Sequence, residues 1–439
     1  MKYTVNTGIQ SLAFRPADKD FAPAVGSRKT ASAVPLGINT KSTSPLDTPE
    51  SLKTQYSRGL RSDRYHLQTS IKSLFVSRGG FDNTVMTLEN YNSLPRVVKC
   101  HSVRIKPTVD IKKHVDHDRA FYSGLAVCGS VWDCPICSAR ILEKRREEIA
   151  LAVNWSYDKG FKVVMVTLTT PHYSFQTCDD LLGRFSKALN FLKSGKAWDK
   201  YKKSVDWQGS IRGLETLYGA NGWHNHTHEL WIVSKDLDSK ELKTNILDRW
   251  YKACDKLGLI PEGKEKAFMS HSVDVVDNAS TSDYLAKHDD KKNLKWGVDK
   301  ELTKPFSKAS KELMHPFQLA DLFMTGVPSL PWNVSKAISK KAGDLFAEYS
   351  KAFKGKSSVF WSRGLKKKIG LVEKDDEELA KQETDKIDTL SSLEHHAWSE
   401  IKNRKYRSKL LDTAEDLGSD GIENQLRLFG VSSVPTYCT

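Results

Sequence analysis

The sequence predicts an α+β fold whose core is an antiparallel sheet with helices on one face. Three observations support this fold: a β-branched apolar run at 161–169, a hairpin signal at 209–233, and two amphipathic segments that separate the strands. Together they give the order strand, helix, strand, strand, helix, strand. That order is the ferredoxin-like βαββαβ arrangement.

Each element has its own signal. "FKVVMVTLT" is typical of a buried strand, and Thr177 is a suitable N-cap for the following helix, with Asp180 at N3. "GANG" between two alternating runs predicts a hairpin, and "FMSHSVDVV" at 268–276 alternates like a last strand. The inward stripes of the two helices are Leu182, Phe185, Leu189 and Leu192, and Leu242, Ile246, Trp250 and Leu257.

The flanking regions differ in composition. Residues 1–60 are rich in Ser, Thr, Pro and Lys and are predicted to be disordered. A cysteine-rich element with short strands such as "PRVVKCHSVRI" is expected over 61–140, before the domain over 141–300 that contains the antiparallel-sheet core. Residues 301–370 are predicted to be helical and basic, and 371–439 to form a charged helical tail.

The chain has 439 residues, a formal charge of +14 and a pI near 9.2. Such a charge favours an anionic partner, of which nucleic acid is the commonest, although a merely soluble basic protein is the alternative. No apolar run approaches the ~18 residues of a membrane span, and no signal peptide is recognisable. We therefore expect a cytoplasmic protein without a membrane partner.

Three histidines alternate along the second hairpin strand. His224, His226 and His228 share one face because strand side chains alternate, and the "GANG" turn places Glu215 directly opposite His226. A carboxylate and neighbouring imidazoles make a cation site with open positions, suited to Mg²⁺ or Mn²⁺. The alternative is a polar sheet face whose histidines meet solvent. A zinc-protease motif is excluded, because Ile232 stands where its second histidine is required.

An open divalent site in a basic protein suggests a phosphodiester substrate. Tyr284 follows the last predicted strand and is the candidate nucleophile. Lys287 lies one helical turn later, where its charge would favour the phenolate or hold a phosphate. The alternative is a tyrosine packed at a helix start.

Four cysteines are clustered upstream. Cys134 and Cys137 have the two-residue spacing of a zinc knuckle, and Cys100 and Cys128 complete a four-thiolate set, with His101 as a substitute ligand. We expect a structural Zn²⁺ there. A thioredoxin-like dithiol is the weaker alternative, because the pair lacks the expected βαβ context.

Two basic segments are candidate DNA contacts, and Phe360 and Trp361 are interleaved in the second. A solvated basic face is the alternative. The cations are Arg140, Arg145 and Arg146 in the first segment, and Lys354, Lys356, Arg363, Lys366 and Lys367 in the second.

Three ordered motifs, "MVTLT", "GWHNHTHELWI" and "YLAK", resemble those of HUH endonucleases. More narrowly, the chain resembles rolling-circle replication initiators of small plasmids and some phages. "CGSVWDCPICSARI" and "EYSKAFKGKSSVFWSRGLKKKIG" are also similar to that family. The resemblance covers residues 95–370.

The resemblance implies that His226 and His228 bind the metal and that Tyr284 nicks one strand of single-stranded or origin DNA. The tyrosine would be joined to the 5′ phosphate, the free 3′ hydroxyl would prime replication, and a host helicase would unwind the duplex. Two departures stand out: Thr227 replaces an apolar residue between the histidines, and Ser280 stands where several relatives have a glutamate used in termination. Asp283 or Asp277 is a candidate substitute for that glutamate.

Two other functions remain open. A relaxase or transposase would use the same nicking chemistry. A zinc-containing DNA-binding regulator would bind DNA without catalysing any reaction.

Overall fold

A computed structural model describes residues 49–78, 93–115, 119–277, 313–326, 336–381 and 386–433. The strands are β1 (Val109–His114), β2 (Ala120–Ser123), β3 (Phe161–Thr169), β4 (Gly209–Gly219), β5 (Gly222–Ser234), β6 (Val273–Asp277), β7 (Leu313–Met314), β8 (Val359–Trp361) and β9 (Ile387–Leu393). The helices are α1 (Pro49–Arg78), α2 (Arg96–Lys99), α3 (Pro135–Asp158), α4 (Cys178–Leu192), α5 (Gly195–Ser204), α6 (Ser239–Lys256), α7 (Glu265–His271), α8 (Pro316–Thr325), α9 (Lys336–Phe353), α10 (Leu365–Lys368), α11 (Asp376–Lys381), α12 (His395–Asn403) and α13 (Arg407–Leu428).

The larger sheet has the strand order β6-β3-β5-β4-β7, and β8 also pairs with β4. Every pairing in it is antiparallel, so the prediction of a mixed α and β fold with an antiparallel sheet is confirmed. The long strands β3, β4 and β5 form its centre. Side chains on these three strands therefore have sheet neighbours on both sides, which fixes their direction.

Helices cover both faces of this sheet, whereas the sequence predicted them on one. On the first face, α4 and α6 bury Phe185 and Trp250 against β3 and β5. On the opposite face, Ile149 and Val153 of α3 pack over one end of the strands. The other end of that second face carries polar side chains instead, and the candidate site is built there.

A second, smaller sheet has the order β2-β1-β9. Its register pairs Val109 with Leu393, and α12 and α13 pack on it through Trp398 and Leu410, which are buried. The tail predicted to be helical therefore contributes a strand. The sequence did not predict β9, because "IDTLSSL" is largely polar and lacks a β-branched run. The predicted domain boundaries stay predictions, although this pairing joins segments on either side of them.

Three local predictions differ from the structure. "PRVVKCHSVRI" holds α2 and turns rather than a strand, with His101 at φ 49° just after a buried cysteine. The first half of "FMSHSVDVV" belongs to α7, and β6 begins at Val273. α1 begins at Pro49, inside the segment predicted to be disordered, and residues 1–48 lie outside the described residues.

The capping prediction is correct: the backbone N–H of Asp180 donates to Thr177 Oγ1 over 3.4 Å. None of the helices in the described ranges combines the length and apolar character needed to cross a membrane.

Candidate active site and cysteine cluster

The hairpin register places an acid beside the histidines. β4 and β5 pair Gly219 with Gly222, which puts Glu215 opposite His226 and Gly213 opposite His228. Gly222 has a φ of +90°, which favours glycine, and a Cβ there would lie 2.9 Å from backbone atoms of the neighbouring loop. The turn therefore sets the register that the sequence predicted.

Glu215, His226 and His228 form a compact three-residue group. Glu215 Oε2 lies 2.7 Å from His226 Nε2 and 3.8 Å from His228 Nε2, and all three ligand atoms lie within 4.8 Å of one another. Each histidine is only 9 % exposed. Two imidazoles and a carboxylate are a donor set that binds divalent ions and leaves coordination positions open.

The rings of the two histidines are held differently. His228 Nδ1 is 2.9 Å from Thr167 Oγ1, so its other nitrogen is directed at the carboxylate. Such a contact fixes the ring of a metal ligand. His226 Nδ1 is buried and has no hydrogen-bond partner among the residues that the structure describes. The ring geometry thus fits a cation bound on the Nε2 side, although no metal identity follows from it.

His224 lies beside this group rather than within it. Its Nε2 is 3.1 Å from Thr169 Oγ1, and its ring stacks on His172 with centroids 4.6 Å apart. Its ring centroid is 5.1 Å from that of His226. Burial lowers the pKa of His224 to about 3, so the imidazole is neutral near pH 7. Its role as a metal ligand stays a prediction.

A residue that the sequence interpretation missed lies on the same face. β7 pairs Met314 with Tyr218, so His315, the next residue, continues opposite Leu217, two positions from Glu215. His315 is 7 % exposed, and its Nδ1 accepts the N–H of Phe317 at the start of α8. Burial lowers its pKa to about 4, against the opposing effect of the Glu215 charge. Because β4 and β7 are far apart in the sequence, no local pattern could have indicated this neighbour.

Tyr284 and Lys287 lie outside the described residues, as do Ser280 and Asp283. The description of this part of the chain ends with β6 at Asp277. That carboxylate accepts a hydrogen bond of 2.9 Å from Lys162 Nζ. The alternative use of Asp277 in termination stays a prediction.

The four predicted cysteines form a second cluster. The Sγ atoms of Cys100 and Cys137 are 3.5 Å apart, those of Cys128 and Cys137 are 3.6 Å apart, and those of Cys134 and Cys100 are 3.7 Å apart. Four sulfurs tetrahedrally arranged at about 2.3 Å from a zinc ion would be separated by about 3.8 Å. All four are buried, and His101, the substitute ligand, is not in the set.

Sulfur atoms of the cluster accept hydrogen bonds from their surroundings. Gln68 Nε2 of α1 donates to Cys134 Sγ over 3.3 Å, and the backbone N–H of Cys128 donates to Cys100 Sγ over 3.4 Å. Hydrogen bonds to the Cys100 sulfur raise the pKa of Cys128 and of Cys137. Four thiolates this close repel one another unless a cation balances them, so the donor set fits a metal ion.

Several cations that the sequence predicted to contact DNA form ion pairs within the protein instead. Arg145 is 5 % exposed and pairs with Asp376 at 2.8 Å and Glu148 at 2.9 Å. Lys366 is 3 % exposed and lies 3.3 Å from Glu148, while Arg146 pairs with Glu143 at 2.7 Å. Because Arg145 and Lys366 are buried and paired with carboxylates, their charges are committed to contacts within the protein.

The remaining cations differ. Lys354, Lys356, Arg363 and Lys367 are exposed, and Arg140 is half-buried with its guanidinium 5.5 Å from the ring centre of Phe121. The interleaved aromatics also have partners within the protein. The ring centre of Phe360 lies 4.6 Å from the guanidinium carbon of Arg212, and the ring centre of Trp361 lies 5.3 Å from Lys366 Nζ. The Phe360 ring therefore contacts β4, whereas the Trp361 ring contacts α10.

Fold and clusters together define a protein with two candidate metal centres, one open on a sheet and one closed by four thiols. The chain is similar to a protein named "Protein rep" from Streptomyces lividans, with 26 % identity over 367 residues, which cover 69 % of this chain and 77 % of that protein. It is also 31 % identical over 135 residues to a "Neomycin resistance protein" from Streptomyces cyanogenus, covering 25 % of this chain and 31 % of that protein. No family model and no solved structure matches. The resemblance to Rep proteins is thereby confirmed, and the assignment to HUH endonucleases stays a prediction.

Proposed function

We propose that the chain is a plasmid or phage rolling-circle replication initiator, which nicks one DNA strand at an origin and rejoins it in a metal-dependent reaction. The group of Glu215, His226 and His228 on the sheet carries this proposal. Two further observations support it: the similarity to a Rep protein over most of the chain, and the strand order β6-β3-β5-β4, which is that of a ferredoxin-like core.

Each residue of the site has a distinct role in this proposal. His226, His228 and Glu215 would hold a divalent ion, Mg²⁺ or Mn²⁺, and Thr167 would keep the His228 ring oriented. When bound, such an ion withdraws electron density from the phosphate oxygens. The low exposure of both imidazoles keeps water from competing for these side chains.

Tyr284 is the proposed nucleophile. Its phenolate oxygen forms a bond to phosphorus, the bond from phosphorus to the 3′ oxygen breaks, and that oxygen leaves as a free 3′ hydroxyl after taking up a proton. Six residues lie between Asp277 and Tyr284, and the seven Cα-to-Cα steps of an extended chain span up to about 24 Å. Since Asp277 is paired with Val164, three positions along β3 from the partner of His228, the tyrosine is within reach of the site. Lys287 would stabilise the phenolate or the phosphate.

A gel assay tests the proposal. The protein is incubated with supercoiled plasmid carrying the origin and with Mn²⁺ or Mg²⁺, and the products are separated under denaturing conditions. We expect a nicked strand covalently attached to protein, absent with Tyr284→Phe, His226→Ala or His228→Ala. Tyr251→Phe, at a half-buried tyrosine of α6 whose ring packs against Phe268, is the control that retains nicking. Unchanged cleavage by Tyr284→Phe would remove that residue from the mechanism.

The second candidate is a zinc-containing DNA-binding regulator, which the four-cysteine cluster favours. The same assay separates the two functions, because a regulator would bind origin DNA without forming an adduct. A relaxase or transposase would form the adduct, and sequencing the nicked ends would locate its target outside a replication origin. The host helicase remains a proposed partner, since nicking alone does not unwind DNA.

A further inference from the structure

His172, Tyr173 and Phe175 lie in a loop that approaches the hairpin carrying Glu215, His226 and His228, and the chemistry proposed above uses none of these three rings. They belong to the loop between β3 and α4, residues 170–177. Phe175 is 82 % exposed, more than any other large hydrophobic side chain in the described part of the chain. A lone exposed apolar side chain needs no explanation, but an ordered set beside a candidate active site does.

The rings in the loop are aligned. Tyr173 and Phe175 have centroids 5.8 Å apart and planes inclined by only 14°. The preceding residue, His172, stacks on His224 with planes inclined by 11°, and His224 in turn neighbours His226. One pair of rings in this loop thus includes an exposed phenylalanine, and the neighbouring residue contacts the imidazole beside His226.

The loop is held in place rather than left free. The Tyr173 N–H donates to Gln176 Oε1 over 2.8 Å, and the Gln176 N–H donates back to the Tyr173 carbonyl over 3.0 Å. Gly222, at the hairpin turn, allows the loop backbone to approach, because an added Cβ would lie 2.9 Å from the Tyr173 carbonyl oxygen and from Ser174 Cα. The rings are thus preorganised for a ligand.

We propose that Tyr173 and Phe175 form a stacking platform for unpaired bases of single-stranded DNA, which positions the strand for the adjacent site. This inference rests on the proposed function. Planar rings stack on any base, and bound single strands commonly combine such stacking with cations along the backbone. The exposed Lys356 supplies such a charge near the loop: burial raises the pKa of the Cys178 thiol, which directly follows the loop, and the Lys356 ammonium opposes that shift.

The test separates stacking from charge. Fluorescence anisotropy measures binding of a short labelled oligothymidylate and of an abasic oligonucleotide of equal length, without added Mg²⁺ or Mn²⁺. We expect the base-containing strand to bind about 5- to 150-fold tighter for each stacked base. The double variant Tyr173→Ala/Phe175→Ala should lose this preference and keep its affinity for the abasic strand. Phe175→Trp should retain the preference.

A matched control is Phe191→Ala on α4. It removes another partly exposed ring, which is 41 % accessible and lies against Lys256 of α6. It should change neither affinity. Equal binding of both strands by the unmodified protein, or a preference that survives the double variant, would overturn the platform. So would an equal loss of both affinities. The assay contains no added Mg²⁺ or Mn²⁺ and measures no cleavage, so failure of the nicking proposal would not alter its result. Tyr284-dependent nicking together with no base preference would reject the platform alone.

Discussion

Glu215 and His226 occupy directly opposed positions on β4 and β5, and the carboxylate Oε2 lies 2.7 Å from the imidazole Nε2. The backbone pairing keeps the Cβ atoms of opposed residues on neighbouring antiparallel strands about 4.5–5.5 Å apart, so the sheet itself holds these two side chains close together. An acid and an imidazole at this distance, with His228 3.8 Å from the same oxygen, form the part of the site that a cation would occupy.

Replacing Thr167 with valine should weaken metal binding without changing the fold. The substitution removes the Oγ1 that holds His228 Nδ1 at 2.9 Å, and valine suits a strand. Loss of such an outer contact typically lowers metal affinity 10- to 100-fold. Isothermal titration with Mn²⁺ measures the change.

Thr169→Val is the matched control, because Thr169 makes the equivalent contact to His224 at 3.1 Å. We expect little effect there if His224 lies outside the coordination sphere. An equal loss of affinity in both variants would instead place His224 among the ligands.

Cys137→Ser should release one equivalent of zinc per chain and destabilise the protein. A closed site of four thiolates contributes its binding energy to folding, on the order of several kcal/mol. Elemental analysis and thermal unfolding measure the two effects. Cys254→Ser alters another buried thiol and should keep the zinc; zinc content unchanged by Cys137→Ser would contradict the assignment.

Trp398→Ala should cost about 3–5 kcal/mol of unfolding free energy, because a large buried side chain leaves a cavity. Trp398 is 1 % exposed, packs edge-on against Tyr122 with centroids 5.0 Å apart, and donates from Nε1 to the Ser102 carbonyl over 2.9 Å. Urea denaturation measures the loss. Leu428→Ala, at a side chain 77 % exposed, should change stability by less than about 0.5 kcal/mol. Similar effects of the two variants would show that the smaller sheet does not depend on α12.

Replacing Lys354 and Lys356 with alanine should reduce the salt dependence of DNA binding. Each lost phosphate contact on a single strand lowers the slope of log affinity against log salt by about 0.7. Titrations at several salt concentrations give the slope. Lys252→Ala removes an exposed lysine that pairs with Asp248 at 2.7 Å and should leave the slope unchanged. An unaltered slope in the double variant would exclude these two lysines from the DNA surface.

Local sequence signals were sufficient to predict those site residues that lie in one hairpin or only a few positions apart. The "GANG" turn fixes the register of β4 and β5, so the position of Glu215 opposite His226 followed from the turn alone. The spacing of Cys134 and Cys137 likewise indicated half of the cysteine cluster, and the structure brings Cys100 and Cys128 to it.

Contacts between distant segments could not be predicted in this way. His315 reaches the face of Glu215 only because β7 pairs with β4, and no periodicity in the sequence records that pairing. Arg145 was predicted to contact DNA because its helix is basic, but its partner Asp376 lies 231 positions away. Charge patterns along one helix do not reveal which cations face another part of the chain.

The pairing of β1 with β9 has a consequence for biosynthesis. Val109 of β1 can pair with Leu393 only after β9 has been synthesised, and all strands of the larger sheet are synthesised before β9. Until then, the strand edge and the apolar surface of β1 and β2 stay exposed, and nascent chains can associate with one another through them.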